Sequence, residues 1–369
     1  MRATRALIHL DRFCRNLRAV RERIGPDRRI CVPVKADAYG HGAVRIAQAA
    51  LGAGASHLAA ATVSEGAELR AAGIGAPILL LSQALPEEAP EIVRHGLTPL
   101  VSDRGYIEAL AAAALAAGAR CPVHLKIDTG MGRLGCSPDE APGLAAHIAA
   151  QSSLVYAGTA THPAASDSAL PDERALPGEQ LGRFREAVDA IRAAGLDPGI
   201  VHAANSGGLL LHPGSWLDMV RPGILLYGYN LSGTDFPAEP VMELVTRITL
   251  VKKVKRGESL SYGRTWVSGR DTCIATLPVG YGDGLPRLLS GNWQVLIRGR
   301  PYPLAGRICM DQCMADLGPE TEIPRWEEVT IFGGPAPSAA ELAARLGTIP
   351  YEITCNINKR VPRVYMPEI

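Results

Sequence analysis

Aromatic residues are scarce, at 5% of 369 positions, and neither sign of charge is in excess: Lys+Arg 38 against Asp+Glu 37 leaves +1. Without a basic surplus no nucleic-acid partner is expected, because phosphate backbones are gripped through Lys and Arg. Long hydrophobic runs are also missing. The most apolar stretch, residues 107–119, carries Glu108 and is too short to cross a bilayer, so no membrane partner is expected. The first eleven residues include Arg2, Arg5 and Asp11 and lack the apolar segment of a secretory signal, which points to a cytoplasmic location. The eight cysteines are scattered, and only Cys309 and Cys313 lie close together. That pattern predicts neither a disulfide framework nor a metal site.

What is present is a large apolar fraction, 47%, with 39 glycines and 28 prolines to make turns. The length suits two domains. Short apolar, β-branched runs occur at 30–34, 57–61, 77–82, 97–101, 123–127, 155–160, 200–203 and 218–226, with helical segments between them. Arg45, Ile46, Ala49 and Ala50 form one helical stripe. Phe184, Val188 and Ile191 form another, which Gly195 is placed to end. Eight such β/α units predict a (β/α)8 TIM-type barrel over residues 1–233, with a doubly wound open sheet as the alternative. A turn-rich segment at 230–240 then leads into alternating patterns at 244–254, 272–277, 293–297 and 329–332, with one helix at 339–346. Residues 234–369 therefore read as a mostly β domain, and the strand-like run 7–10 is expected to pair with it.

Reactive groups of such barrels collect at the C-terminal ends of the strands. Polar residues recur at those points: Lys35 in Val34-Lys35-Ala36-Asp37-Ala38-Tyr39-Gly40-His41-Gly42, the run from Asp128 through Arg133 to Gly135, His162 after Thr161, Asn205-Ser206-Gly207, and Arg221-Pro222-Gly223-Ile224. A rim lysine held unprotonated is a nucleophile toward carbonyls, although a lone lysine reads first as a surface group, and it is the flanking glycines and the Tyr39-Gly40-His41-Gly42 run that shift this reading. Ser206 with the amides of Gly223 and Ile224 has the makings of a phosphate cradle after the seventh and eighth strands, and Asn205 also fits a helix cap. Lys126 lies in an apolar strand, where an unpaired charge is costly.

These segments resemble the alanine racemases. Residues 34–42 are similar to the lysine motif that attaches pyridoxal 5'-phosphate (PLP) in that family. Residues 124–135, 202–207, 219–228, 260–263, 279–284 and 306–314 match in order and spacing. The resemblance covers nearly the whole chain. It implies a PLP-binding barrel with a β domain, working as a homodimer in which each active site takes residues from both subunits, with a small amino acid as substrate. By the same resemblance Lys35 and Tyr262 would be the two catalytic bases, Tyr262 coming from the second subunit. Lys35 would hold PLP. Tyr39, Ser206, Gly223, Ile224 and Tyr351 would bind its phosphate, with Asn205 beside them. Arg221 would face the pyridine nitrogen, Arg133 the ring hydroxyl, and His162 would stand next to Arg221. Arg133, Met310 and Asp311 would serve the substrate, and Tyr281 would narrow the entrance, with Asp167, Arg287 and Arg307 around it. Lys126 would be carbamylated.

Asp37 and Pro163 depart from the family's commoner Asn and Phe. Related decarboxylases, broad-specificity or serine racemases and non-enzymatic PLP barrels are the competing readings. The β domain with Tyr262 and Met310-Asp311 counts against the last.

Overall fold

The computed structural model describes residues 2–367 apart from 169, 171, 172, 174, 232 and 233. The chain divides into two compact units, one of Met1–Phe13, Tyr39–Gly42 and Glu239–Ile369, the other of Cys14–Ala38 and Ala43–Ala238.

Strand β1 is Arg5–His9, and eight parallel strands follow: β2 Arg29–Pro33, β3 His57–Ala60, β4 Ile78–Leu80, β5 Thr98–Val101, β6 Cys121–Lys126, β7 Leu154–Ala160, β8 Ile200–His202 and β9 Met219–Val220. Every residue of β3, β4 and β5 is buried, as befits parallel strands covered on both faces. The eight lie in the order β8-β7-β6-β5-β4-β3-β2-β9, so the last strand pairs with the first and the sheet curls into a barrel rather than an open doubly wound sheet. The remaining seam is bridged by single bonds: Asp218 N–H to the Val201 carbonyl at 3.0 Å and Arg221 N–H to the Ala204 carbonyl at 2.8 Å. Cys31, Ala59, Leu79 and Met219 fill part of the interior.

Helices cover the barrel where their apolar stripes dictate. Helix Leu176–Ala193 buries Phe184, Val188 and Ile191, and Gly195, at φ +76°, follows its end. Helix Ala43–Gly52 buries Ala43, Ile46, Ala47 and Ala50, so Arg45 and Ala49 flank the buried stripe instead of lying in it. The eighth strand is much shorter than the run 218–226. After Met219–Val220 comes a 3-10 turn at Ile224–Tyr227, because Pro222 has no N–H to continue a ladder.

In the other unit β1 lies between β10 (Met242–Arg247), antiparallel, and β19 (Arg363–Met366), parallel, as expected for the run 7–10, although Leu10 already opens helix Leu10–Ile24. The six-stranded sheet is completed by β15 (Gln294–Ile297), β16 (Arg300–Pro303) and β18 (Glu328–Phe332). The run 244–254 is two strands, not one. The chain turns at Ile248 and Thr249, and β11 (Leu250–Val254) joins a three-stranded sheet with β14 (Thr272–Leu277) and β17 (Cys313–Gly318). A two-stranded ribbon, β12 (Ser259–Leu260) with β13 (Trp266–Val267), carries the turn between them. Helix Ala339–Leu346 has a Ser338/Glu341 capping box and a left-handed Gly347. A second helix, Pro350–Cys355, is too short to show a helical period in sequence.

Candidate active site

Lys35, half-buried, follows β2 and opens a single turn of opposite hand. Ala36, Asp37, Ala38 and Tyr39 have φ of 51°, 53°, 52° and 54°. A left-handed turn costs roughly 1–2 kcal/mol per non-glycine residue, so the surroundings must hold it. Ala36 N–H donates to Glu65 Oε1 at 2.7 Å, and Asp37 Oδ1 accepts from Ala43 N–H at 2.8 Å, fixing both ends within the barrel unit. The Asp at position 37 thus has a backbone duty.

Arg221 is the most constrained cation of the barrel. It is buried, and among the described residues no carboxylate lies within ion-pair distance. Its NH1 donates to His202 Nδ1 at 2.6 Å, and its NH2 to the carbonyls of Thr161 and Ala203 at 2.8 and 3.0 Å and to His162 Nδ1 at 3.3 Å. Arginine has donors only, so His202 Nδ1 must accept. Its proton then sits on Nε2, which donates to His124 Nδ1 at 2.8 Å. The tautomers of both histidines follow from that single cation. Burial, with Arg221 contributing, lowers His202 well below its ordinary value. Burial, with His57 and Arg221 contributing, brings His124 down to about 3. The histidines are therefore neutral. Arg221 is itself lowered only to about 10 by burial, so it remains a cation. Gly158 makes room for this chain, since a Cβ there would lie 2.6 Å from the His124 ring.

Two more cations face the same end. Lys126 is buried at the tip of β6, donating to the Ile127 carbonyl at 2.9 Å. Burial and then Arg221 lower it to about 8. Arg133 is exposed on a loop that folds back on β6 through Asp128 N–H to the Cys136 carbonyl at 2.8 Å and Cys136 N–H to the Lys126 carbonyl at 3.0 Å. Asp128 Oδ1 organises that loop by accepting from the amides of Gly130, Met131 and Gly132. His162, half-buried, is lowered to about 3, by burial first and then by Arg221, Arg133, Lys126 and Lys35. Four cations thus converge on one histidine at the strand ends.

Beside them, Ser206 Oγ accepts from Gly223 N–H at 3.0 Å and Leu225 N–H at 3.4 Å, which draws the start of the Ile224–Tyr227 turn onto the Ser206–Leu211 helix. Asn205 is that helix's N-cap, its Oδ1 accepting from Gly208 N–H at 2.9 Å and from Ser166 Oγ at 2.7 Å. Asp167 is exposed one residue on from Ser166.

The remaining predicted residues belong to the other unit and form two groups there. Tyr39 and Tyr351 have ring centroids 5.5 Å apart, and Gly40 approaches the Pro350–Cys355 helix so closely that a Cβ would sit 2.1 Å from the Thr354 carbonyl oxygen. In the second group Tyr262, Tyr281 and Met310 are 70%, 43% and 53% exposed. Tyr281 N–H donates to the Cys309 carbonyl at 3.1 Å and Gly282 N–H to the Met310 carbonyl at 2.9 Å, so the Tyr281 turn and the Met310-Asp311 loop are joined through their backbones. Arg360 clamps them: it meets the fully buried Asp283 at 2.7 Å and Asp311 at 2.8 Å. Arg287 is in a neighbouring 3-10 turn, and the Arg307 carbonyl bonds Ser261.

His124, His202, Asp283, Arg360 and Ser261 received no individual role from sequence. For the two histidines the available signal was an ionisable residue in a buried, apolar strand. Ser261 and Asp283 lie in the matched segments 260–263 and 279–284, which mark the region but not their partners, and Arg360 offered no signal; each acts through a partner distant in sequence.

A barrel whose strand ends gather cations, followed in the same chain by a strand-rich unit displaying tyrosines, is the architecture of an enzyme. Family models for the alanine racemase N-terminal domain and C-terminal domain match residues 8–231 and 241–365. An alanine racemase of Treponema denticola is 48% identical over 377 aligned positions, covering 100% of this chain and 99% of its own. Among solved structures, alanine racemase from Clostridium difficile 630 superposes with TM-score 0.94 at 34% identity, covering 99% of this chain and 96% of the other. The enzyme from Streptomyces lavendulae gives 0.92 at 37%, covering 100% and 98%. The chain belongs to the alanine racemase family.

Proposed function

We propose that the protein interconverts L- and D-alanine with PLP as cofactor, as a cytoplasmic homodimer with shared active sites. The observation that carries this reading is the group of cations, Lys35, Lys126, Arg133 and Arg221, around His162 at the barrel's strand ends, with no carboxylate among the described residues paired to the buried Arg221. A cluster in which cations predominate fits a phosphorylated anion. When bound, PLP supplies the electron sink that acidifies the α-carbon of the substrate.

The chain's own residues do the rest. Lys35 attaches the cofactor. Ser206, the amides of Gly223 and Ile224, Tyr39 and Tyr351 hold its phosphate, and Asn205 keeps Ser206 in place. Arg221 donates to the pyridine nitrogen without surrendering a proton, because even lowered to about 10 it is a cation at neutral pH. Arg133 serves the ring hydroxyl and the substrate carboxylate. Lys126, lowered to about 8, has a neutral fraction able to add to carbon dioxide with loss of a proton. The resulting carbamate would balance Arg133.

Racemisation needs one acid/base group on each face of the α-carbon. Lys35 takes the D-face and Tyr262 of the second subunit the L-face. Met310 and Asp311 shape the carboxylate site and Tyr281 narrows the entrance. The exposure of Tyr262, Tyr281 and Met310 supports a partner surface at that edge.

Reduction with borohydride and peptide mapping tests the attachment: the label belongs on Lys35, and a label on another lysine rejects the assignment. Mixing Lys35→Ala with Tyr262→Ala chains tests the shared site. Half of randomly paired dimers then hold one intact composite site, so about a quarter of the original activity should return. Hybrids without activity reject the sharing. Assays on alanine, serine and lysine test the substrate, and a higher kcat/KM on lysine rejects it.

A further inference from the structure

Tyr262 is 70% exposed, and among the described residues its hydroxyl makes no hydrogen bond. What the fold fixes is therefore where its Cα–Cβ bond points, and that is set by the backbone that carries it. That backbone is unusual at the preceding residue. Ser261 has φ +64° and ψ −177°, a region that essentially only glycine occupies. Gly263 and Arg264 follow at φ +70° and +50°.

One side-chain bond holds Ser261 in this state. Its Oγ donates to the Arg307 carbonyl at 2.6 Å, with Cys309 Sγ 3.4 Å away. The segment that receives it is shaped to fit. Gly306, at φ +74°, lies so close that a Cβ would stand 2.9 Å from Ser261 Cβ, and the Arg307 guanidinium lies where a Cβ on Gly263 would meet it at 3.0 Å. Below the turn, Leu260 and Ala305 are buried in one cluster with Val254 and Ile274, which anchors both strands of the interlock.

Glycine would occupy the Ser261 conformation without strain, and the chain already places glycine at 263 and 306. A side chain at 261 is worth its strain only for what its hydroxyl does: a glycine would leave the turn free to take other conformations, whereas the Oγ bond selects one. We propose that Ser261 is the positioning residue for Tyr262, its hydroxyl tethering the turn to the Arg307 carbonyl so that the Cα–Cβ bond of the tyrosine leaves the turn in one direction. This rests on the reading of Tyr262 as the L-face base.

The test compares Ser261→Gly and Ser261→Ala with Tyr262→Phe, all as full-length, PLP-loaded enzyme. Melting temperature, racemisation and solvent exchange of the α-proton from each enantiomer are measured. Ser261→Gly, relieved of strain, should melt at or above Ser261→Ala. Both should lose about tenfold to a hundredfold in kcat, the scale of a small misplacement of a reacting group. Exchange from L-alanine should fall further than exchange from D-alanine in both, a ratio that general destabilisation does not move. If Tyr262→Phe is inactive while Ser261→Gly keeps the original kcat and exchange ratio, the tether has no positioning role. Equal loss of both exchanges in the Ser261 variants also overturns it, marking a structural role alone. Full racemisation by Tyr262→Phe overturns the assignment of the base and this inference with it.

Discussion

The barrel's strand ends and the tyrosine-bearing edge of the other unit hold reactive groups in opposite ways. At the strand ends Arg221 and Lys126 are buried, and the neutral histidines beside them are ordered by hydrogen bonds made inside the same unit. At the edge Tyr262, Tyr281 and Met310 face solvent, on turns fixed by backbone bonds, the Arg360 clamp and the Ser261 tether. The first region bears the desolvation of its charges when the unit folds. The second leaves apolar and aromatic surface uncovered, as a surface does that is completed by another molecule.

The comparison can be broken most severely at the displayed edge. Removing the Tyr262 hydroxyl with Tyr262→Phe should cost about 10²–10⁴ in kcat, the range of a positioned general base, while the borohydride label on Lys35 stays. Loss of the label as well would mean that the edge also builds the cofactor site. Within the barrel, Gly158→Ala drives a methyl into the His124 ring and to 2.7 Å from the Ile200 carbonyl oxygen, which is backbone and cannot retreat. A destabilisation of about 1–3 kcal/mol is expected in denaturant melts, with weaker PLP binding as Arg221 loses its fixed partner. The same substitution should leave the geometry around Tyr262 unaltered.

Acid should expose the barrel's burial cost next. His57 is lowered from 6.5 to about 4, by burial first and Arg29 second, and His124 to about 3. As pH falls below 6.5 the unfolded chain binds protons that the folded one refuses. Stability present above 6.5 is therefore lost toward pH 4, by about 1.4 kcal/mol per pH unit for each histidine. Urea melts across that window measure it, and His57→Gln should flatten the slope by one proton. The smallest effect belongs to Arg360→Gln. With its clamp partly exposed, KM for alanine should rise about two- to fivefold with kcat retained, and a large fall in kcat would show that the clamp also places Tyr262.

Much of this was legible in residue order. Short continuous apolar runs announce the eight strands because parallel strands are buried on both faces, and the Ser338-to-Gly347 helix carries its own start and stop signals. Lys35, Arg221 and Ser206 could be picked out because each follows a strand. The split of 244–254 was not legible. An alternating run looks the same whether it continues or turns a corner, and the turn depends on Ile248 N–H finding the Glu327 carbonyl, 3.0 Å away. The hand of the turn after Lys35 was equally silent, since Ala36-Asp37-Ala38 has ordinary right-handed propensity.

The sequence by itself determined the period of the elements, the caps, the family motifs and the near-neutral charge that turned attention from nucleic acid. These are local or compositional properties, carried by neighbouring residues. Only the tertiary structure decided that His202 links Arg221 to His124 across 78 positions, that Ser261 is tethered across 46, and that β1, expected to pair with the β domain, lies there between β10 and β19. The reason is physical. A strained φ or a buried neutral histidine survives only where hydrogen bonds from distant segments offset its cost, and residue order alone does not say which distant segments meet.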